Sequence, residues 1–381
     1  MKIHTNFRSH PVIVNGRIRV SIDDVKEVPV FADSDSPRQF GTAETNGYLF
    51  YFAFSGQNLF LRLFHGLADG RGSLSFLKTV LAAYAEETQG IHVDSPAQDS
   101  CDTLPVTERI LKEHAGCAPI GRFVANEHAD EVFQLPVDRF PAGERKWRVF
   151  EPLEPLLTAS RRSESSVVPV LEAMAGNAIR RNYDVGDKLI VSYTPVDMRA
   201  VFGLNSGGNG STSVAVSYRG KLDKYEPADR FMFMRSILDL QIQPENIYAG
   251  LLNLAGLIQK VDSQPYPIDV IVSALKQKGR IGGMTPFTYG LSYPGKISFP
   301  EPVEAIVGSI ALSVSACSFP VMIEACEYRG TIRMIVTQIF ESDEVARTIY
   351  EEIAGLIPGT VFTDRGNKIY DRLDLETIEH Q

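Results

Sequence analysis

Residues 58–84 read NLFLRLFHGLADGRGSLSFLKTVLAAY, and two periodicities meet inside that stretch. Asn58–Phe64 is an apolar run of strand length. With Gly47–Phe54 ahead of it across Ser55-Gly56-Gln57, it reads as a β-hairpin. Beyond the polar segment Ala68-Asp69-Gly70-Arg71-Gly72-Ser73, residues Leu74, Leu77, Val80, Leu81 and Tyr84 recur at helical spacing, with Asp69 or Ser73 available as the cap. A strand therefore runs through a short polar loop directly into a helix.

Within the loop, Phe64-His65-Gly66-Leu67-Ala68-Asp69-Gly70 forms an HxxxDG pattern. Such a match arises by chance in roughly one chain in thirty of this length, so its position carries more weight than the match itself. A strand end presents His65 from a rigid element, and Gly70 permits a sharp turn into the helix. An imidazole so placed can take a proton from a hydroxyl or amine attacking an acyl thioester and return it to the thiolate leaving group, without a covalent acyl-enzyme. The residues alone equally allow His65 to be a hydrogen-bonded core histidine and Asp69 to be only a helix cap.

Outward from this stretch, both halves of the chain mix strands and helices. Residues 88–150 show little periodicity and end in a strand, Lys146–Glu151. Val168, Leu171, Ala175, Ala178 and Ile179 mark a helix, followed by an extended run Lys188–Tyr193 that stops at Pro195. Further strands are expected at Thr212–Tyr218, near 286–300 and near 309–317, with helices in 228–241 and 244–260. Val321–Tyr328 and Thr331–Ile339 form a hairpin about Arg329-Gly330, and Val345, Ile349, Ile353 and Leu356 share one face of a last helix. A length of 381 residues, at the usual ~150 per domain, suggests two domains. The charged stretch Ser160–Ser166 gives the boundary, so the expected domains are 1–160 and 161–381.

Composition excludes several classes. With 44% hydrophobic and 22% charged residues, the chain is globular rather than collagen-like, disordered or a disulfide scaffold. A formal charge of −9 without a basic run disfavours nucleic-acid binding. Cys101, Cys117, Cys317 and Cys326 lie far apart, and the opening MKIHTNFRSH is polar, so a reducing cytoplasm is the expected location. The uncharged stretch Ala305–Ile323 is interrupted by serines and Pro320, and is expected as buried strand and loop rather than a membrane span.

Three segments carry a resemblance to a known family. Asn58–Tyr84 resembles the core motif of the condensation-domain and alcohol acetyltransferase families of the chloramphenicol acetyltransferase-like superfamily. Ser192–Asn209, SYTPVDMRAVFGLNSGGN, is similar to that family's strand and loop carrying an arginine and, after a Gly/Ser segment, an asparagine. Thr288–Pro300, TYGLSYPGKISFP, resembles the segment where a strand passes a glycine near the inter-domain channel. The resemblance covers most of residues 46–340 and implies two α/β domains, each a mixed sheet flanked by helices, with a channel between them. It implies His65 as general base and a two-point contact from Arg199 that clamps Asp69 to the second domain, with Asp69, Gly70 and Arg199 supporting the site. Asn209 and Gly295 would line the channel, with the Asn209 amide or a backbone N–H available to a developing oxyanion.

The chain departs from the family pattern in places. Phe64 stands where a first histidine is common, and Tyr293-Pro294 replaces a more usual Asn-rich sequence before Gly295. The family's first strand and helix would precede the segment resembling Phe7–Val30, so the chain is expected to lack them, which would expose sheet edge and channel wall.

Other motifs fall short. Gly290–Lys296 matches the first seven positions of a P-loop, yet Ile297 replaces its Ser/Thr and Pro294 removes an N–H donor. The spacing of Cys101, His114, Cys117 and His128 fits no common zinc site, so no metal is expected. GxSxG, HExxH and a complete GxGxxG are absent. The expectation is an acyltransferase, alcohol O-acetyltransferase-like, moving an acyl group from CoA or a carrier-protein thioester to an alcohol or amine. Acyl-CoA is preferred as co-substrate, and no bound cofactor is expected. The alternative is a non-catalytic superfamily member acting as a binding or scaffold protein.

Overall fold

Two short runs dense in aromatic and aliphatic residues, FYFAFS and NLFLRL, produce the expected hairpin. The computed structural model describes residues 10–14, 17–21, 28–32, 38, 40–65, 67–93, 112–113, 116, 118–140, 145–202, 207–220, 222–252, 287–314, 319–361 and 363–370. Strands β1 (His10–Val14) and β2 (Arg17–Ser21) form an antiparallel ribbon. Strands β4 (Phe50–Ser55) and β5 (Asn58–Leu63) pair antiparallel, turning at Gly56 with φ 56°. β3 (Val30–Ala32) joins β4 in parallel, making a small mixed sheet.

Helix α1 (Gly70–Gln89) begins at an Asp69 N-cap and ends at Gly90 in the left-handed region. It is buried on two sides. Phe76 and Val80 pack on Tyr48, Phe50 and Phe52 of the small sheet, with the Phe76 ring 5.4 Å from that of Phe50. Leu74, Leu81, Ala82 and Ala85 pack instead on Ile297, Phe299, Val303, Cys326 and Tyr328 of the second half.

That second half is built on an eight-stranded mixed sheet. Its strands are β6 (Arg145–Glu151), β7 (Ile190–Asp197), β8 (Ser211–Tyr218), β9 (Tyr289–Ser292), β10 (Lys296–Ile297), β11 (Val321–Tyr328), β12 (Thr331–Gln338) and β13 (Thr363–Tyr370). The order is β13-β6-β12-β11-β9-β7-β8, with β10 pairing β11 off that path. β9 runs parallel to both β7 and β11, and the remaining pairs along the path are antiparallel. Helices α2 (Glu154–Arg162), α3 (Val167–Asn182), α5 (Pro227–Gln241) and α7 (Glu344–Gly355) cover the sheet, while α4 (Met198–Phe202) and α6 (Glu301–Ile306) are short. α3 is the centre of this layer, because its face of Val170, Leu171, Ala178 and Ile179 is apolar and fully buried. Gly176 brings it close to β8, where a Cβ would stand 2.4 Å from Tyr218 Cγ.

Several expectations are corrected. β7 continues through Pro195 to Asp197. β9 pairs it only at Ser192 and Tyr193, so Pro195 has a ladder neighbour on one side alone, where a missing N–H is tolerated. Residues 307–314 form no strand and are half-buried or exposed, so lack of charge there did not signal burial; 315–318 lie outside the described residues. β6 lies before the expected boundary at 160 yet is hydrogen-bonded between β12 and β13, because its partners come from the far end of the chain. The helix expected over 244–260 is present over 244–252, the rest lying outside the described residues. Among the described residues no helix is long and apolar enough to cross a membrane.

One buried carboxyl links the elements that lead to the candidate site. Glu172 of α3 is fully buried and accepts from Ser192 Oγ at 2.7 Å, from Thr194 Oγ1 at 2.6 Å, and from the Tyr289 hydroxyl. Burial raises its pKa to about 7, against the lowering effect of those three donors, while burial and the neighbouring Glu172 push the Tyr289 hydroxyl well above its ordinary range. Below the unfolded value of 4.5 the carboxyl is neutral in both states; as pH rises to about 7, only the unfolded chain ionises, and stability is lost. That window corresponds to a loss of about 3 kcal/mol. Glu324, also buried and raised to about 7, acts in the same window. Glu172→Gln is expected to shrink the stability difference between about pH 4 and about pH 8, measured by chemical denaturation. An unchanged difference refutes this assignment of the pH dependence.

Candidate active site

Asp69 organises the site. Its backbone at φ −79°, ψ −176° makes it the N-cap of α1, and Oδ1 accepts from Gly72 N at 2.8 Å. Oδ2 accepts from Gly210 N at 2.7 Å and from Arg199 Nη1 at 2.9 Å. The side chain is nearly fully buried, and polar oxygens removed from water need hydrogen-bond donors in its place. Arg199 projects from α4 at the end of β7, where its Nη1 also donates to Asp197 Oδ1 at 3.1 Å and its Nη2 to the Gly208 carbonyl. Its backbone N donates to the same Asp197 oxygen at 3.0 Å. Burial opposes the Arg199 charge, but its bonds to Asp69 and Asp197 outweigh that and hold its pKa above the ordinary arginine value. The guanidinium is thus shared among Asp69, Asp197 and Gly208.

His65 follows β5 and is exposed, flanked by the exposed side chains of Phe64 and Leu67. No side-chain hydrogen bond holds its imidazole among the described residues, so it is not a satisfied core histidine. The backbone is held instead. Phe64 N donates to Leu49 O at 2.8 Å, and Asn209 Nδ2 donates to His65 O at 3.3 Å. The Asn209 amide, expected to line the channel, is therefore engaged with the motif backbone, while its Oδ1 accepts from Ser211 Oγ at 3.1 Å.

Gly295 lies in the turn between β9 and β10 with φ +89°, within reach of the motif helix: a Cβ there would be 3.7 Å from Arg71 Nη2. These contacts bring His65, Asp69, Gly70, Arg199, Asn209 and Gly295 into one neighbourhood. The structure also corrects the reason given for Gly70. That residue opens α1 without positive φ and with open space where a Cβ would stand. Two positions on, a Cβ at Gly72 would stand 2.4 Å from Gly207 O and 2.6 Å from Gly208 O, and one at Gly210 would stand 2.6 Å from Arg199 Cζ. Gly72, Gly210, Asp197 and Arg71 are members of the site that sequence reading missed. The only available signal was the density of glycine on both sides of the contact.

Among the described residues no group of three or more side chains is arranged to hold a metal ion. Of the four zinc candidates considered, His128 alone is described. It pairs with Glu131 at 3.0 Å and stacks on Phe123 with rings 4.9 Å apart.

No family model and no curated protein matches the sequence. Solved structures do match it in shape. The epimerization domain from the third module of tyrocidine synthetase B has a TM-score of 0.59 at 13% identity, covering 92% of this chain and 84% of that one. The first condensation domain of the CDA synthetase gives 0.56 at 12% identity, covering 91% and 82%. Polyketide synthase associated protein 5 from Mycobacterium tuberculosis gives 0.55 at 14% identity, covering 91% and 85%. The fold is that of condensation domains. Two mixed sheets flanked by helices, one carrying the His65 loop and the other the Arg199 and Gly295 loops, make up this condensation-domain fold.

The two motif glycines are expected to behave differently. Gly72→Ala drives a methyl into backbone carbonyls that cannot rotate away and should lower stability by about 2 kcal/mol. Gly70→Ala should stay within about 0.5 kcal/mol of wild type, or rise above it, because alanine is the better helix former. Thermal denaturation of both variants checks this, and equal losses would contradict it.

Proposed function

We propose that this protein is an acyltransferase that moves an acyl group from a thioester, carried by CoA or by a carrier protein, to an alcohol or amine. The observation that carries the reading is His65 itself, an exposed imidazole at a strand end, in a loop pinned through its backbone by Asn209 and Asp69. A general base needs this combination of access and fixed position. The sequence resemblance and the shared fold support a thioester donor.

In this reading a nitrogen of His65 removes the acceptor proton as the oxygen or nitrogen attacks the thioester carbonyl. When the tetrahedral intermediate collapses, the C–S bond breaks and the same proton passes to the departing thiolate. Asp69 faces Arg199 and Gly210 rather than the imidazole, so it fixes the loop and takes no proton. Asn209 positions His65 through its carbonyl. Apolar side chains at Phe64 and Leu67 beside His65 favour an acyl chain or acceptor with an apolar portion.

Thiol release from acetyl-CoA, longer acyl-CoAs and acyl-pantetheine thioesters, over a panel of alcohols and amines, tests the reading. His65→Ala should lose at least ~100-fold in rate with its thermal midpoint unchanged, since the exposed imidazole contributes little to packing. Equal rates in wild type and variant overturn the histidine base. A wild type inert toward every donor, including a carrier-protein thioester, favours the binding or scaffold reading.

A further inference from the structure

We infer that Arg71 is a positioning residue that sets the gap between the His65 loop and the turn Tyr293-Pro294-Gly295, an inference that rests on the acyl-transfer reading for its kinetic consequence. Arg71 lies in the first turn of α1, six residues beyond His65, and its guanidinium reaches two elements of the large sheet. Nη2 donates to Pro294 O at 2.9 Å, and Nε stands 3.2 Å from Asp197 Oδ2. Gly295, at φ +89°, presents its bare backbone to the same guanidinium.

Arginine suits this position because its rigid fork offers donors on separated nitrogens. One carboxylate and one carbonyl are engaged at a fixed spacing, which a single ammonium does not reproduce. Tyr293 anchors one end of the turn by packing on the main core, while the backbone of the turn is held by short strands. β9 is four residues long, β10 is two, and β10 pairs β11 only at Lys296 and Ile297, with Glu327 N donating to Gly295 O at 3.2 Å. A side chain from the motif helix therefore supplies the tie between this turn and the loop that presents His65.

Asp197 connects the tie to the buried pair. Its Oδ2 faces Arg71 while Oδ1 accepts from Arg199, so the charges alternate in the order Arg71, Asp197, Arg199, Asp69. The inner pair is buried, whereas the Arg71 side chain is 53% exposed. An exposed ion pair contributes little to global stability, so the loss of Arg71 should be felt in the placement of the turn and not in unfolding. A substrate lying between His65 and the turn would then bind less well, while proton transfer at His65 is unaffected.

Two readouts test this in the full chain. In Arg71→Met, amides over residues 291–297 should exchange hydrogen about tenfold faster than in wild type, with Arg71→Lys intermediate. Arg235→Met, which removes an exposed ion pair within α5, should leave those amides unchanged. With a thioester substrate, Arg71→Met should raise KM for donor or acceptor about tenfold and keep kcat within about twofold, with partial recovery in Arg71→Lys. Unchanged exchange at 291–297 overturns the tie, and unchanged KM or a fall confined to kcat overturns the positioning role. If wild type turns over no thioester, the acyl-transfer reading and the kinetic role fail together, and the exchange comparison still decides the tie.

Discussion

The rest of the site depends on one requirement, the solvation of the Asp69 carboxylate. Nearly removed from water, it would be strongly penalised without compensating donors. The donors come from three places: Gly72 N in the first turn of α1, Gly210 N at the start of β8, and Arg199 in α4. No single element supplies them all, so the carboxylate is satisfied only when the motif helix meets the end of the Gly/Ser loop and the short helix after β7. Two glycines make the meeting possible, since a methyl at Gly72 would collide with the loop backbone and one at Gly210 with the guanidinium. Charge and close approach are therefore one constraint.

Breaking a buried pair costs more than the pair contributes as a replaceable unit, because the surviving partner is left charged in a poor dielectric. That asymmetry explains how Arg199 can be held by Asp69, Asp197 and the Gly208 carbonyl together. Each additional acceptor lowers the cost of burying the guanidinium, and a second acid beside it balances the exposed Arg71. The buried Glu172 poses the opposite case. It has three hydroxyl donors and no cation among its assigned partners, and its proton affinity rises accordingly. Burial favours the neutral form of such a carboxyl, whereas Asp69 is paired with the Arg199 guanidinium.

What the sequence made legible was local. The hairpin, the strand-to-helix loop, helix α3 and the last hairpin all follow from periodicity within a dozen residues and a turn signal at each end. Asp69 and Arg199 came together through the resemblance, 130 residues apart. Sheet order was not legible, because β6 finds its partners at β12 and β13, which no local pattern encodes. Gly72 was missed for the same reason: the need for a bare Cα there arises from carbonyls at 207 and 208, not from its own helix. Residues 305–314 misled because absence of charge was read as burial, whereas serines and short aliphatic side chains suit a half-exposed loop equally well.

The two-sided burial of α1 explains how an exposed histidine is kept in position with no side-chain hydrogen bond to its ring among the described residues. One face of the helix belongs to the small sheet through Phe76 and Val80, and another to the large sheet's elements through Leu74, Leu81 and Ala85. A helix packed on both sides cannot rotate toward either without opening a cavity against the other, at a cost of some 2–5 kcal/mol for each large side chain uncovered. His65 enters this arrangement from a paired strand and leaves it through the Asp69 cap, so the backbone on both sides of the loop is fixed. Its imidazole keeps its access to solvent, because the chain on either side, rather than the ring, carries the contacts that place it. Positional order and exposure are thus separated at His65, with order carried by α1 and the Asp69 cluster and exposure left to the ring.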